Sequence, residues 1–158
     1  MRRSPAASAI LVGGSIAGVL DITYAIVFSA VRGFPPLRVL QSVAGGLLGA
    51  KTFEGGLPTA ALGLFLHFLI AFTWASIFFA ASRLMPSLAR HAVWAGVLYG
   101  AVIYLVMYLV VLPLSAYPRK VTFTPFLVAV NLSVHMFLIG LSISLAVRRA
   151  SRPLPSGG

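Results

Sequence analysis

Asp21 sits inside an apolar run, Ala17-Gly-Val-Leu-Asp-Ile-Thr-Tyr-Ala25, and is one of only two acids in the chain. His67 and His135 interrupt two other apolar runs, and Tyr104 lies in a fourth. An aspartate and an imidazole can exchange a proton, share a divalent cation, or tie two helices together by hydrogen bonds. Which of these applies depends on whether the four side chains meet.

Their spacing predicts that they do. The four runs cover residues 9–31, 59–82, 92–114 and 124–147. At about 1.5 Å per residue, each spans a hydrocarbon core of ~30 Å. With both ends of the chain on one side, Asp21 falls roughly 18 Å from that side, His67 roughly 22 Å, and Tyr104 and His135 roughly 18 Å. One polar group from each helix therefore reaches the middle of the bilayer, and reversing the topology preserves the coincidence. An ionisable group at that depth costs several kcal/mol unless it faces the bundle with partners. Asn131 lies one turn before His135 on the same helix face, and Tyr108 one turn after Tyr104, so both extend the cluster.

Composition supports the spans. Of 158 residues, 59% are hydrophobic and 9% charged, and mean hydropathy is +1.01. The last three runs hold no Lys, Arg, Asp or Glu, and the first holds only Asp21. The fold expected is an all-α, integral membrane four-helix bundle forming one domain over residues 9–147. A short cytoplasmic tail (1–8) precedes it and a disordered tail (148–158) follows.

The net charge of +10 does not point to nucleic acid. Nearly every base flanks a span, where it meets lipid phosphates and fixes topology. Arg2, Arg3, Arg83, Arg90, Arg148, Arg149 and Arg152 fall on the side of the termini. Arg32, Arg38, Lys51, Arg119 and Lys120 fall on the other, a bias toward cytoplasmic termini. The first run is too long for a signal-peptide core, and Asp21 interrupts it. There is no cysteine, which excludes disulfides, iron–sulfur clusters and thiolate metal sites. Ten Arg against two Lys, with abundant Ala and Gly, suggest a GC-rich bacterium.

The loop between the first two spans is too long for a tight turn. Residues 36–50 start with proline and place Leu37, Leu40, Val43, Ala44, Leu47 and Leu48 at helical spacing. A short helix is expected there, lying on the bilayer surface or re-entering it, either as a cap packed on the bundle or as a gate over a cavity. Glu54, three residues after Lys51, is an outer-loop candidate for an interfacial ion pair. Gly14 and Gly18 form a GxxxG pair, as do Gly96 and Gly100, and both allow close helix packing within the chain or in a homo-oligomer. "AGVL" recurs at 17–20 and 95–98, and "LHF" at 66–68 is loosely echoed by "VHM" at 134–136. A duplicated hairpin would give such an echo.

Residues 55–115 carry further features: Gly55-Gly56, His67-Phe68-Leu-Ile-Ala71-Phe72, Ala81-Ser82-Arg83, Pro86, Arg90-His91, Tyr99-Gly100 and Pro113-Leu114-Ser115. In these features the chain resembles a group of small bacterial four-span inner-membrane proteins with no assigned activity. The resemblance implies that location and architecture, and brings no substrate with it.

No G-x-S-x-G, H-E-x-x-H, P-loop or G-x-G-x-x-G pattern is present, and nothing marks the chain as an enzyme. The leading functional expectation is passage of protons, ions or a small solute. Asp21 would be the proton- or cation-handling group, His67 and His135 its relays, and Tyr104 an orienter. Two alternatives stay open. The cluster could be structural, in an accessory protein without transport. Or His67 and His135 could ligate haem b, or a divalent metal together with Asp21. No cofactor is predicted in the leading reading, and the lipid bilayer is the one partner required.

Overall fold

The structure is a computed structural model that describes residues 4–118 and 122–151. The disorder expected of the C-terminal tail concerns mostly residues 152–158, which lie outside that range.

Four helices are long and apolar enough to cross a membrane: Ala6–Val31, Gly56–Leu84, Ala92–Leu114 and Pro125–Ala150. In chain order the elements are α1 (Pro5–Val31), α2 (Pro36–Leu48), α3 (Gly56–Leu84), α4 (Ser87–Arg90), α5 (Ala92–Leu114) and α6 (Pro125–Ala150). A 3₁₀ segment, Gly49–Phe53, joins α2 to α3. Among the described residues there is no strand.

Three of the starts are written locally. Proline occupies the first turn of α1, α2 and α6, where its missing N–H costs nothing. Ser4 Oγ accepts from the Ala7 N–H and Thr124 Oγ1 from the Leu127 N–H, each capping its helix. α1 consequently begins before Ala9, the start expected from hydropathy, and α6 continues past Val147 to Ala150. Gly33, at φ +82°, makes the turn from α1 into α2.

α1 lies between α3 and α6, and α5 packs on α6. Small residues set these approaches. A Cβ on Gly14 or Gly18 would collide with the rings of Phe72 and Phe68 on α3. A Cβ on Gly96 or Gly100 would collide with α6 at Ser144 and at the His135 carbonyl. Both GxxxG faces expected to serve packing are therefore occupied within the chain.

α3 and α5 stand farther apart. At the end carrying the termini, aromatic side chains fill the gap. The Tyr99 hydroxyl donates to the Trp74 carbonyl at 2.7 Å, and the Phe78 ring meets the Tyr99 ring at 4.8 Å. Ala9, Ala75, Phe78, Ile143 and Val147 complete a dry core there. The outer surface is studded with exposed apolar residues, among them Val19, Val27, Phe65, Leu69, Leu98 and Leu109. Such a belt would be a liability in water and suits lipid.

α5 and α6 each contain a π-helical turn, Met107–Val111 and His135–Gly140. Pro113 explains the first: it has no N–H for the carbonyl four residues back, and its ring pushes that turn open. The helix nevertheless continues to Leu114. At the second, His135 Nδ1 hydrogen-bonds the Asn131 carbonyl at 2.8 Å, competing with the backbone ladder.

Candidate functional site

At the loop end, nothing fills the gap between α3 and α5. The result is a cavity of about 290 Å³ whose lining includes Asp21, His67, Tyr108, His135, Ser42 and Tyr117. It runs from mid-depth, where the first four lie, to α2 and the segment after α5, which roof it. The Ala116 N–H donates to the Gly46 carbonyl at 2.9 Å, tying the two parts of that roof together.

Asp21 and His67 form the centre. His67 Nε2 lies 2.8 Å from the Gly18 carbonyl, so this nitrogen carries the proton and donates. Nδ1 then faces Asp21 Oδ2 at 4.0 Å. Gly18 makes the contact possible, since a larger residue would hold α3 off α1. His135 has the opposite orientation. Its Nδ1–H donates to Asn131, which leaves Nε2 as the acceptor of the neutral ring. The Asp21 side chain remains 30% exposed.

The other expected members are placed differently. Tyr104 is buried and meets His135 through its ring, edge-on at 5.4 Å. It is not part of the cavity lining, whereas Tyr108, stacked on it at 4.5 Å, is. Asn131 stands outside the lining too; its Oδ1 accepts from the Tyr24 hydroxyl at 3.1 Å and joins α6 to α1. Glu54 is exposed and makes no ion pair with Lys51; its amide N–H donates to the Lys51 carbonyl at 3.1 Å. Among the described residues, no three His, Asp or Glu side chains converge as a metal-ligand set. Axial ligation through His67 Nε2 would first have to break its bond to Gly18.

A helix over residues 36–50, as a cap or as a gate over a cavity, is an expectation from the sequence; its polar latch to α3 is not. α2 lies directly on α3, and a Cβ on Gly63 would collide with the Leu40 carbonyl. Gln41 Nε2 donates to the Gly56 carbonyl at 3.1 Å and to Thr59 Oγ1 at 3.2 Å. Thr52 Oγ1 donates to the Gln41 carbonyl at 2.9 Å. Gln41 Oε1 remains the only buried side-chain polar atom without a hydrogen-bond partner among the described residues. The polar residues Gln41, Thr52 and Thr59 around a glycine-rich stretch were the available signal for this latch. Beyond the roof, Ser42 and Tyr117 also line a second hollow of about 260 Å³ with Arg32 and Arg38. Those guanidinium groups lie over the rings of Phe28 and Phe53, at 5.4 and 5.1 Å.

Fold and site together define a helical protein with four potential membrane-crossing helices and a largely apolar cavity at mid-depth into which Asp21, His67, Tyr108 and His135 are set. No protein-family model, curated protein or solved structure matches the chain.

Proposed function

We propose that this is a multi-pass protein of the bacterial inner membrane, with cytoplasmic termini, that passes protons with or without a small polar solute. α2 lies at the membrane boundary as a roof over the cavity. The observation that carries the reading is the placement of Asp21, His67 and His135 in the wall of one cavity. Ionisable groups at that depth mark proton relays and ion pathways.

The hydrogen-bond inventory supports a proton-handling role. With Nε2–H committed to Gly18, the Nδ1 lone pair and an Asp21 carboxylate would face each other as two acceptors. One added proton, on either group, turns this opposition into attraction. His135 Nε2 offers a second acceptor in the same cavity. The dry core around Phe78 and Tyr99 blocks the terminal end, so passage requires α3 and α5 to part there.

The competing reading is a purely structural cluster, in an accessory protein without transport. The test is proton flux into proteoliposomes under an imposed pH gradient, with the potential clamped. Wild-type protein should exceed empty vesicles, and Asp21→Asn should cut the protein-dependent rate at least tenfold while leaving the melting temperature within a few degrees. Flux unchanged in Asp21→Asn, with a large fall in melting temperature, would establish the structural reading instead.

A further inference from the structure

A third hollow lies at the opposite end of the bundle, on the face that carries the termini. It measures about 560 Å³ and is lined by Ser82 and Arg83 of α3, Pro86, Ala89 and Arg90 at α4, and Arg148 and Ser151 at the end of α6. Three arginines thus line one space from three separate elements. The chain has only two acids. Asp21 belongs to the mid-depth cavity, and Glu54 lies in the loop that precedes α3, at the far end of the bundle. Among the described residues the only ion pair is Asp21–His67, so neither side-chain carboxylate neutralises the three arginines. The carbonyls ending α3 and α6 offset part of the charge, because Arg83 and Arg148 stand in those last turns. They do not account for all three converging on one hollow.

We propose that Arg83, Arg90 and Arg148 bind the phosphate of an anionic phospholipid headgroup. Guanidinium forks match phosphate oxygens in pairs. The neighbours of the hollow suit the rest of an amphiphile. Leu84 and Met85, which follow Arg83 directly, are 85% and 57% exposed, and Trp94 at the start of α5 is 73% exposed. Apolar residues and an indole beside a basic hollow mark the level where acyl chains give way to headgroups. The site rests on the membrane reading alone and is independent of proton passage.

The test uses full-length protein, stripped of lipid in a neutral maltoside detergent, and follows its melting temperature. Short-chain phosphatidylglycerol, short-chain phosphatidylcholine and inorganic phosphate are titrated separately. Phosphatidylglycerol should give a saturable rise, and the other two should not. Arg83→Gln, Arg90→Gln and Arg148→Gln should each weaken the midpoint about tenfold, the usual range for a lost charged hydrogen bond. Arg149→Gln removes the same charge one residue away, outside the lining, and should stay within about twofold of wild type. An equal loss in Arg149→Gln and Arg148→Gln, or no saturable rise in wild type, overturns the site. A rise with inorganic phosphate at the same midpoint overturns the lipid assignment in favour of a free anion. Should a glutamine variant fail to fold, the wild-type titrations and Arg148→Lys, which keeps the charge but loses the fork, decide the matter.

Discussion

The two halves of the bundle solve the same gap in opposite ways. Between α3 and α5 at the terminal end, Trp74, Phe78 and Tyr99 reach across and interlock. At the loop end, Ile70 on one side and Met107 and Val111 on the other leave the space open, and α2 covers it. Side-chain reach separates the core from the cavity. Asp21, His67, Tyr108 and His135 fall on the open side, where water can serve polar atoms the protein does not satisfy.

Phe78→Ala attacks the contrast most directly. It removes the largest fully buried side chain, and should cost about 3 kcal/mol or more, read as a fall in melting temperature in detergent. It should also join the cavity to the terminal end, raising passive proton leak in proteoliposomes. A small thermal shift would mean that the terminal half is no tighter than the loop half. Gly63→Val, on the roof side, should cost about 1–3 kcal/mol by lifting α2 off α3. Since the chain has no cysteine, a single Ser42→Cys can report on it: maleimide labelling should speed up when Gly63→Val is added. An unchanged rate would mean that α2 is held by its polar latch alone. Tyr24→Phe removes the hydrogen bond to Asn131 and should cost about 0.6 kcal/mol, the average for such bonds between membrane helices. A loss several times larger would show that this bond organises the site.

Much of this was legible in the sequence, for identifiable reasons. Apolar length marks a potential membrane span without reference to its neighbours, and the four long helices are those hydropathy predicts. Depth along each helix is simple arithmetic, and it placed Asp21, His67 and His135 at one level. Rotation about each helix axis was not legible, because a helix apolar all round has no stripe to orient it. That is why the sequence favours Tyr104 as the cluster member over Tyr108, one turn on, whereas only Tyr108 lines the cavity. The same blindness hid the use of the glycine pairs. Gly14, Gly18, Gly96 and Gly100 advertise close approach, but only the assembled chain reveals that the approaching helix is its own.

The glycine contacts have one more consequence. Gly18, on the first helix of the first hairpin, abuts His67–Phe68, and Gly100, on the first helix of the second, abuts His135–Met136. The matching stations are thus Gly18 with Gly100, and not Gly18 with Gly96 as the repeated "AGVL" would align them. Viewed down the bundle, the chain has the layout of two like hairpins, and the first differs by a longer connection that contains α2. Symmetry would make the two histidines equivalent. The residues at matching positions break it, Asp21 three after Gly18 and Ile103 three after Gly100, leaving one imidazole facing an acid and the other packed among tyrosines.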